Sequence, residues 1–484
     1  MSPDMESKRN KGELKTMKAR LAVVVIPALL FLGAAQAPLS PAAAEDQPQA
    51  STQTEEKVEE IDQRLRILER KEELDQEKAA EAAKQTAQAG AGKDGFFVKS
   101  ADGNFLLKVR GYAQLDGRFW GNDEASPNVD TFLLRRVRPI FEGTVYKMFD
   151  FRIMPDFGEG KTVLQDAYME ARFTPWAKVR AGKYKVPFGL ERLQSATDIL
   201  FAERALPTNL VPNRDLGVQF SGDVLDGALS YAAGLFNGVP DLGSADSDIN
   251  DNKEGAARLF AHPFKNSSLL SLQGLGIGLA ATYGRNLGNL TSSGLPTYKT
   301  PGQQSFFSYI TGKTLPTTTV ASGDRVRISP QAYFYLGRFG LHAEHISSVQ
   351  EVRKDIDEAR LENNAWQVSA SLLLTDDKAS YKGVSPKKPF DLKARTWGAF
   401  EIAGRFGRLD VDGDAFPIFA DPTTAARSAR EWAAGVSWYL SRNVRWMLDY
   451  SSTTFRWGAS TGTPAVVADR EREKILFNRF QISF

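Results

Sequence analysis

From Phe105 to Trp120 the side chains alternate between two chemistries, and a run of that length restricts the fold more than anything else in the chain. One set reads Phe105, Leu107, Val109, Gly111, Ala113, Leu115, Gly117 and Phe119. The interleaved set reads Leu106, Lys108, Arg110, Tyr112, Gln114, Asp116, Arg118 and Trp120. Successive strand residues point to opposite faces, so the segment is a strand with one apolar and one charged face. In a soluble sandwich the apolar face would meet a second sheet. In a membrane barrel it meets lipid, while the polar set meets water in the lumen.

The pattern recurs. Val326, Ile328, Pro330, Ala332, Phe334 and Leu336 alternate with Arg325, Arg327, Ser329, Gln331, Tyr333 and Tyr335. Trp432, Ala434, Val436, Trp438 and Leu440 precede a tight turn, Ser441-Arg442-Asn443, and Val444, Trp446, Leu448 and Tyr450 return from it. The last segment sets Leu476, Phe480, Ile482 and Phe484 among Asn478, Arg479, Gln481 and Ser483. An amphipathic strand ending on an aromatic residue is similar to the signal that barrel-assembly machinery reads, so Phe484 is the expected contact with that machinery. The expected fold is all-β: a transmembrane antiparallel barrel preceded by a short coiled-coil helix. About 390 residues, at roughly 24 for each strand with its connection, give about sixteen strands, enough to enclose water.

The N-terminus supplies the export route. Lys18 and Arg20 precede an apolar run from Leu21 to Leu32, and Ala42-Ala43-Ala44 follows, the order of a secretory signal. Residues 1–44 are therefore read as a signal peptide. Either Met1 or Met17 is the start, and in the second case 1–16 is an upstream extension. No stretch holds eighteen consecutive apolar residues, so a membrane-spanning mature chain would not be helical. Residues 45–54 read as a linker. Over 55–88 a helix is expected, with Val58, Ile61, Leu65 and Leu68 forming a heptad seam for a periplasmic coil. Gln85 to Gly95 reads as a small-residue hinge, and the barrel as 96–484.

Strand direction organises the connections. Segment 187–215 emerges as the third external loop, and further external loops are expected at 238–252, 284–322, 375–393, 411–429 and 455–472. A channel needs a narrow place and a charge pattern rather than a catalytic set. By alternation Arg110, Arg136 and Arg138 face the lumen, whereas Arg135 shares a face with Val137 and sits near the external rim. Guanidinium groups suit oxyanions, although pairing with lumen carboxylates such as Asp166 and Glu170 is the plainer reading. Residues 96–484 carry 47 basic and 42 acidic groups, a net +5 that permits anion preference without requiring it.

Other chemistries find little support. The chain has no cysteine, which excludes thiol catalysis and cysteine metal sites. His342 and His345 lie three apart in a strand and point to opposite faces, a poor metal pair. Acidic residues in 241–254 read as a solvated loop. No cofactor, metal, nucleic-acid partner or enzymatic activity is expected.

The stretch from Arg135-Arg136-Val137-Arg138 to Gly222 resembles the phosphate-selective porin O and P family. The resemblance is carried by Asp166-Ala167-Tyr168-Met169-Glu170, by the run from Gly182 to Glu191, by Glu203-Arg204-Ala205-Leu206-Pro207 and by Arg214-Asp215-Leu216-Gly217. It implies a sixteen-stranded trimeric barrel in the outer membrane whose third loop, 187–215, folds inward to narrow the channel. It also implies an anion path past Arg136, Lys185, Arg192 and Arg204, with small anions such as phosphate as solutes and outer-membrane lipid around the wall. Glu191, Asp198, Glu203 and Asp215 share that loop, which keeps a general, weakly selective porin in view. A structural outer-membrane anchor acting through the N-terminal helix is the reading from another class.

Overall fold

The computed structural model of the protein describes residues 49–92, 95–121, 128–248 and 250–484. The signal-peptide segment lies outside these residues. Two units are distinguished, residues 1–78 and residues 79–484.

In the first unit the described chain is helical. Helix α1 spans Gln49–Gln85, so it begins within the segment read as a linker. Exposed ion pairs one turn apart, Arg64–Glu60 and Arg66–Asp62, line its surface. Val58, Ile61, Leu65 and Leu68 are all more than half exposed.

In the second unit sixteen antiparallel strands close into a barrel. They are β1 (Phe105–Gly121), β2 (Thr131–Val145), β3 (Phe149–Asp156), β4 (Val163–Thr174), β5 (Ala177–Lys185), β6 (Arg214–Val224), β7 (Leu229–Phe236) and β8 (Glu254–Ala261). Then follow β9 (Leu275–Leu287), β10 (Val320–Leu336), β11 (Phe339–Lys354), β12 (Asp357–Leu373), β13 (Ala399–Asp410), β14 (Ala426–Tyr439), β15 (Val444–Thr461) and β16 (Glu473–Ser483). Each pairs with its sequence neighbours, and β16 returns to β1 with Lys474 opposite Gly121 and Ser483 opposite Tyr112. Closure leaves no sheet edge in the wall.

The polarity of this wall is inverted relative to a soluble protein. Arg327 is fully buried, while its neighbour Ile328 is 48% exposed. Gln114, Asp116, Glu431 and Arg479 are likewise hidden, and Phe132, Met169, Leu235 and Trp432 are open. Apolar side chains face outward along the strands and polar ones inward, which suits lipid outside and water within.

Several boundaries differ from the sequence reading. The supposed hinge contains a strand: Gln88–Gly92 pairs with Gly95–Lys99, and the latter pairs with β1 at Leu106–Val109, where β16 has stopped. Segment 455–472 is largely an extended hairpin, since β15 continues to Thr461 and pairs with Val466–Asp469. Segment 375–393 lies at the opposite end of the barrel from 186–213. It belongs to the 374–398 connection between β12 and β13, at the same end as the tight turns 146–148 and 440–443. Tight connections at 337–338 and 355–356 leave room for a full strand, β12, and so reverse the expected direction.

The main hydrophobic core sits inside the barrel rather than in its wall. Leu206, Leu210 and Val211 from 186–213 pack with Tyr298, Phe306 and Phe307 from 288–319, and with Phe419 from 411–425. These three connections share one end, and inward residues of the wall, such as Ile346 and Leu361, are apolar where they meet them. Burying this apolar surface holds long loops in the lumen that would otherwise be solvated.

Candidate functional site

Segment 186–213 leaves β5 through Val186-Pro187 and turns at Gly189, whose φ of 77° favours glycine. A Cβ there would come within 2.8 Å of a Val211 methyl, so the two ends of the segment could not approach. Two short helical turns follow, Leu190–Leu193 and Leu206–Leu210. The segment crosses the lumen and is tied to the wall at many points. Glu344 accepts from Leu190 N at 2.7 Å, and Arg445 donates to Ile199 O at 2.8 Å. Asp449 accepts from Ala202 N at 2.6 Å, Arg405 donates to Glu203 O at 2.9 Å, and Gln114 donates to Ala196 O at 2.9 Å. From the other end of the barrel, Tyr381 of 374–398 donates its hydroxyl to Leu190 O at 2.6 Å.

Glu203 is the most heavily engaged anchor. Arg135 Nε donates to it at 2.6 Å, Arg479 Nη2 at 3.1 Å and Arg136 Nη2 at 3.3 Å, while Arg118 stands 3.6 Å away. Burial alone would raise the Glu203 carboxyl, but Arg135, Arg136 and Arg479 hold it well below the usual carboxylate range.

Arg135 reaches this carboxylate because β2 contains a bulge. Gln114 faces Arg136 and Leu115 faces Leu134, which leaves Arg135 as the extra residue. Strict alternation would aim it away from the lumen. The bulge lets consecutive arginines serve the same carboxylate, so Arg135 does not share the face of Val137, as strict alternation predicts, but turns to the lumen. The only hint in the sequence is Arg-Arg within an otherwise alternating strand.

Beside the segment, inside the barrel, lies a cavity of about 920 Å³. Its lining carries fifteen arginine or lysine side chains and only four carboxylates, Asp156, Glu159, Asp166 and Asp198. All six residues singled out from the sequence, Arg110, Arg136, Arg138, Lys185, Arg192 and Arg204, line it. They divide into two groups.

Arg110, Arg136 and Arg138 each meet a carboxylate, and Arg136 shares its own with Arg135 and Arg479. Arg110 donates to Glu142 at 2.8 Å, and Arg138 to Asp156 at 2.7 Å and to the Tyr112 hydroxyl at 2.8 Å. Arg136 meets Glu203 and also donates to Gln114 at 2.7 Å. The carboxylates expected as partners are engaged elsewhere: Asp166 accepts from Arg214 at 2.8 Å and Glu170 from Arg180 at 2.8 Å.

Lys185, Arg192 and Arg204 instead donate to neutral oxygens. Lys185 reaches Gln194 O at 2.8 Å and Leu193 O at 3.3 Å. Arg204 reaches Gln194 O at 2.9 Å and Glu191 O at 3.1 Å. Arg192 reaches Asn213 Oδ1 at 3.2 Å and Thr208 O at 3.3 Å, and its buried Nε has no hydrogen-bond partner among the described residues. Burial lowers Arg192 well below its ordinary value, and Arg204 and Arg214 push it further in that direction.

The acidic residues of the segment do not cancel these charges within the cavity. Glu191 and Glu203 are adjacent in sequence to Arg192 and Arg204, yet neither lines the cavity. Glu191 turns to Ala205 N at 2.9 Å and to Gln367 Nε2 at 3.1 Å. Each Glu-Arg pair is thus split, with its anion turned away from the cavity and its cation on the cavity lining, although Arg192 is itself buried. Asp198 does line the cavity, and burial raises its carboxyl.

A family model for phosphate-selective porin O and P matches residues 107–484. The chain belongs to that family. It is an outer-membrane channel, and both the family and the barrel make it a passive porin rather than an enzyme. No curated protein matches the porin. Similar solved structures include an anion-selective porin from Comamonas acidovorans, at 11% identity and a TM-score of 0.47, covering 78% of this chain and 100% of that one. Another is the outer-membrane channel DcaP of Acinetobacter baumannii, at 10% identity and a TM-score of 0.49, covering 80% and 99%. A third is outer-membrane OmpT of Vibrio cholerae, at 10% identity and a TM-score of 0.47, covering 79% and 98%.

Proposed function

We propose that the porin conducts small anions passively and favours phosphate-like oxyanions. The observation that carries this reading is that Lys185, at the end of β5, and Arg192 and Arg204, in segment 186–213, line the cavity and among the described residues donate to neutral oxygens. Guanidinium groups keep their charge at neutral pH, so crowding among Arg192, Arg204 and Arg214 is relieved by an anion rather than by proton loss. An oxyanion accepts forked hydrogen bonds from such groups in place of part of its hydration shell. Several cations in succession keep each stop shallow enough to leave.

In this reading segment 186–213 is an inward-folded external loop, α1 lies in the periplasm, and Phe484 serves recognition by the assembly machinery. The test is reversal potential in planar bilayers under chloride and phosphate gradients. Anion preference that falls in Arg192→Ala and Arg204→Ala supports the reading, and cation preference in the unaltered porin would sink it.

A general, weakly selective porin is the second reading. It is favoured by the carboxylates that pair with Arg110, Arg136 and Arg138. Phosphate that blocks chloride current at low concentration speaks against it.

A further inference from the structure

Near the end of the barrel that holds 288–319, three inward residues stand side by side across three strands. Thr453 of β15 faces Glu431 of β14 on one side and Glu473 of β16 on the other. Directly opposed side chains on one sheet face are immediate neighbours. All three residues are at least nine-tenths buried. Each keeps one oxygen (Glu431 Oε2, Thr453 Oγ1 and Glu473 Oε1) that has no hydrogen-bond partner among the described residues. Buried polar groups are nearly always bonded, so three orphaned oxygens in one row point to a bound species.

The charge of the row selects the sign of that species. Arg405 Nη2 donates to Glu431 Oε1 at 2.6 Å, joined by the Ser451 hydroxyl at 3.2 Å. Glu473 Oε2 accepts from the neutral Thr300 hydroxyl at 3.0 Å. Arg470, on the approach to β16, donates instead to Ser305 O at 2.6 Å. The two carboxylates thus have one guanidinium between them, itself 3.8 Å from Glu191, and their charges repel across Thr453. A carboxylate without a cation is costly to bury. Water brings no charge, and one proton bridges two oxygens at most. A cation can meet all three oxygens and supply the missing charge. Gly302 keeps space beside the row, since a Cβ there would come within 2.6 Å of Glu473 Oε1 and of the Trp120 ring.

We propose that Glu431, Thr453 and Glu473 bind a hard divalent cation of the calcium class, which fastens turn 300–304 of connection 288–319 to the wall. The row offers only oxygen, which suits calcium or magnesium rather than a transition metal, and its irregular set of groups suits calcium's flexible geometry. Among the described residues no group of three His, Cys, Asp or Glu side chains is placed for a metal ion, and here a hydroxyl stands where a tighter site would have a third carboxylate. Binding is therefore of the weak class, on the order of 0.1–1 mM, with water completing the shell. The row is hidden in the sequence, where its members lie on separate strands. The inference is independent of which solute the porin conducts.

Terbium takes calcium's oxygen ligands and emits when a nearby tryptophan is excited, so Trp120 is a built-in reporter. In porin refolded into non-ionic detergent at neutral pH, terbium should emit under tryptophan excitation, and calcium should displace it at about millimolar concentration. Calcium should also raise the unfolding temperature by a few degrees. Glu473→Gln and Glu431→Gln should lose both responses. Thr453→Val keeps the side-chain shape and should need several-fold more calcium, which preserves the comparison if a glutamate variant does not refold. Trp120→Phe should dim the emission and keep the thermal shift. Emission and thermal shift unchanged in Glu473→Gln and Thr453→Val would overturn the site. An unaltered porin whose unfolding temperature ignores calcium would overturn it as well, and a gain in stability as pH falls would then identify a shared proton in its place.

Discussion

At the residue scale, lining the cavity and supplying a filter charge are separate properties. Arg136 lines the cavity, but its charge is shared with Glu203, so its work is to hold segment 186–213. Arg136→Ala should therefore alter selectivity less than Arg204→Ala does, when both are compared by reversal potential. Glu203→Ala removes the carboxylate that Arg135, Arg136 and Arg479 share. A buried charge left without its partner typically costs about 3–5 kcal/mol. The expected result is a loosened segment, seen as larger and noisier single-channel conductance, with a lower unfolding temperature. Asp198 provides a pH dependence. Burial raises its carboxyl, so as pH falls it takes up its proton before an ordinary carboxylate would. Losing that negative charge strengthens anion preference, so selectivity should rise as pH falls from neutrality toward the usual carboxylate range. Asp198→Asn should hold the stronger preference throughout, as reversal potentials measured across that pH range would report.

At the element scale, the wall was legible in the sequence and its exceptions were not. Alternation identifies strands such as β1, β10 and β14 because lipid and water impose opposite chemistry on adjacent residues. A bulge breaks that logic by one residue, and Arg135 shows the cost of missing it. Connection length misled for a different reason. Segment 374–398 is long without being at the same end as the other long connections, because two tight turns before it admit another strand. The basic residues of the site could be named from type and parity, but their partners could not. Arg479 donates to Asp116, 363 positions away in the chain, and only closure brings them within 2.6 Å. The closing seam can be tested at Gly111. Its N–H and carbonyl bond the Phe484 backbone at 3.0 and 2.9 Å, and a Cβ there would meet the Phe484 ring at 2.9 Å. Gly111→Val should displace that ring and cost about 1–3 kcal/mol, the usual range for overpacking. Loss of the folded band at a lower temperature on unheated gels would measure it.

At the scale of the whole molecule, the barrel turns a nearly neutral composition into a polarised interior. The surplus of cations appears in one cavity rather than in the total, because the closed wall and the inward connections sort charge by position. Enclosed charge is screened less by salt than surface charge, for which the Debye length falls from about 10 Å at 0.1 M to about 3 Å at 1 M. Anion preference should therefore survive a rise in potassium chloride from about 0.1 to 1 M, where a preference due to rim charges would fade. Reversal potentials at fixed gradient and increasing mean concentration separate the two.

The divided Glu-Arg pairs of segment 186–213 also determine how such a pore could be redesigned. Anchor and filter alternate along one short stretch of backbone, so exchanging the stretch wholesale for an acidic one would discard the fastening together with the charge. Shifting the preferred ion calls for changes at Lys185, Arg192 and Arg204 that leave Glu191 and Glu203 untouched.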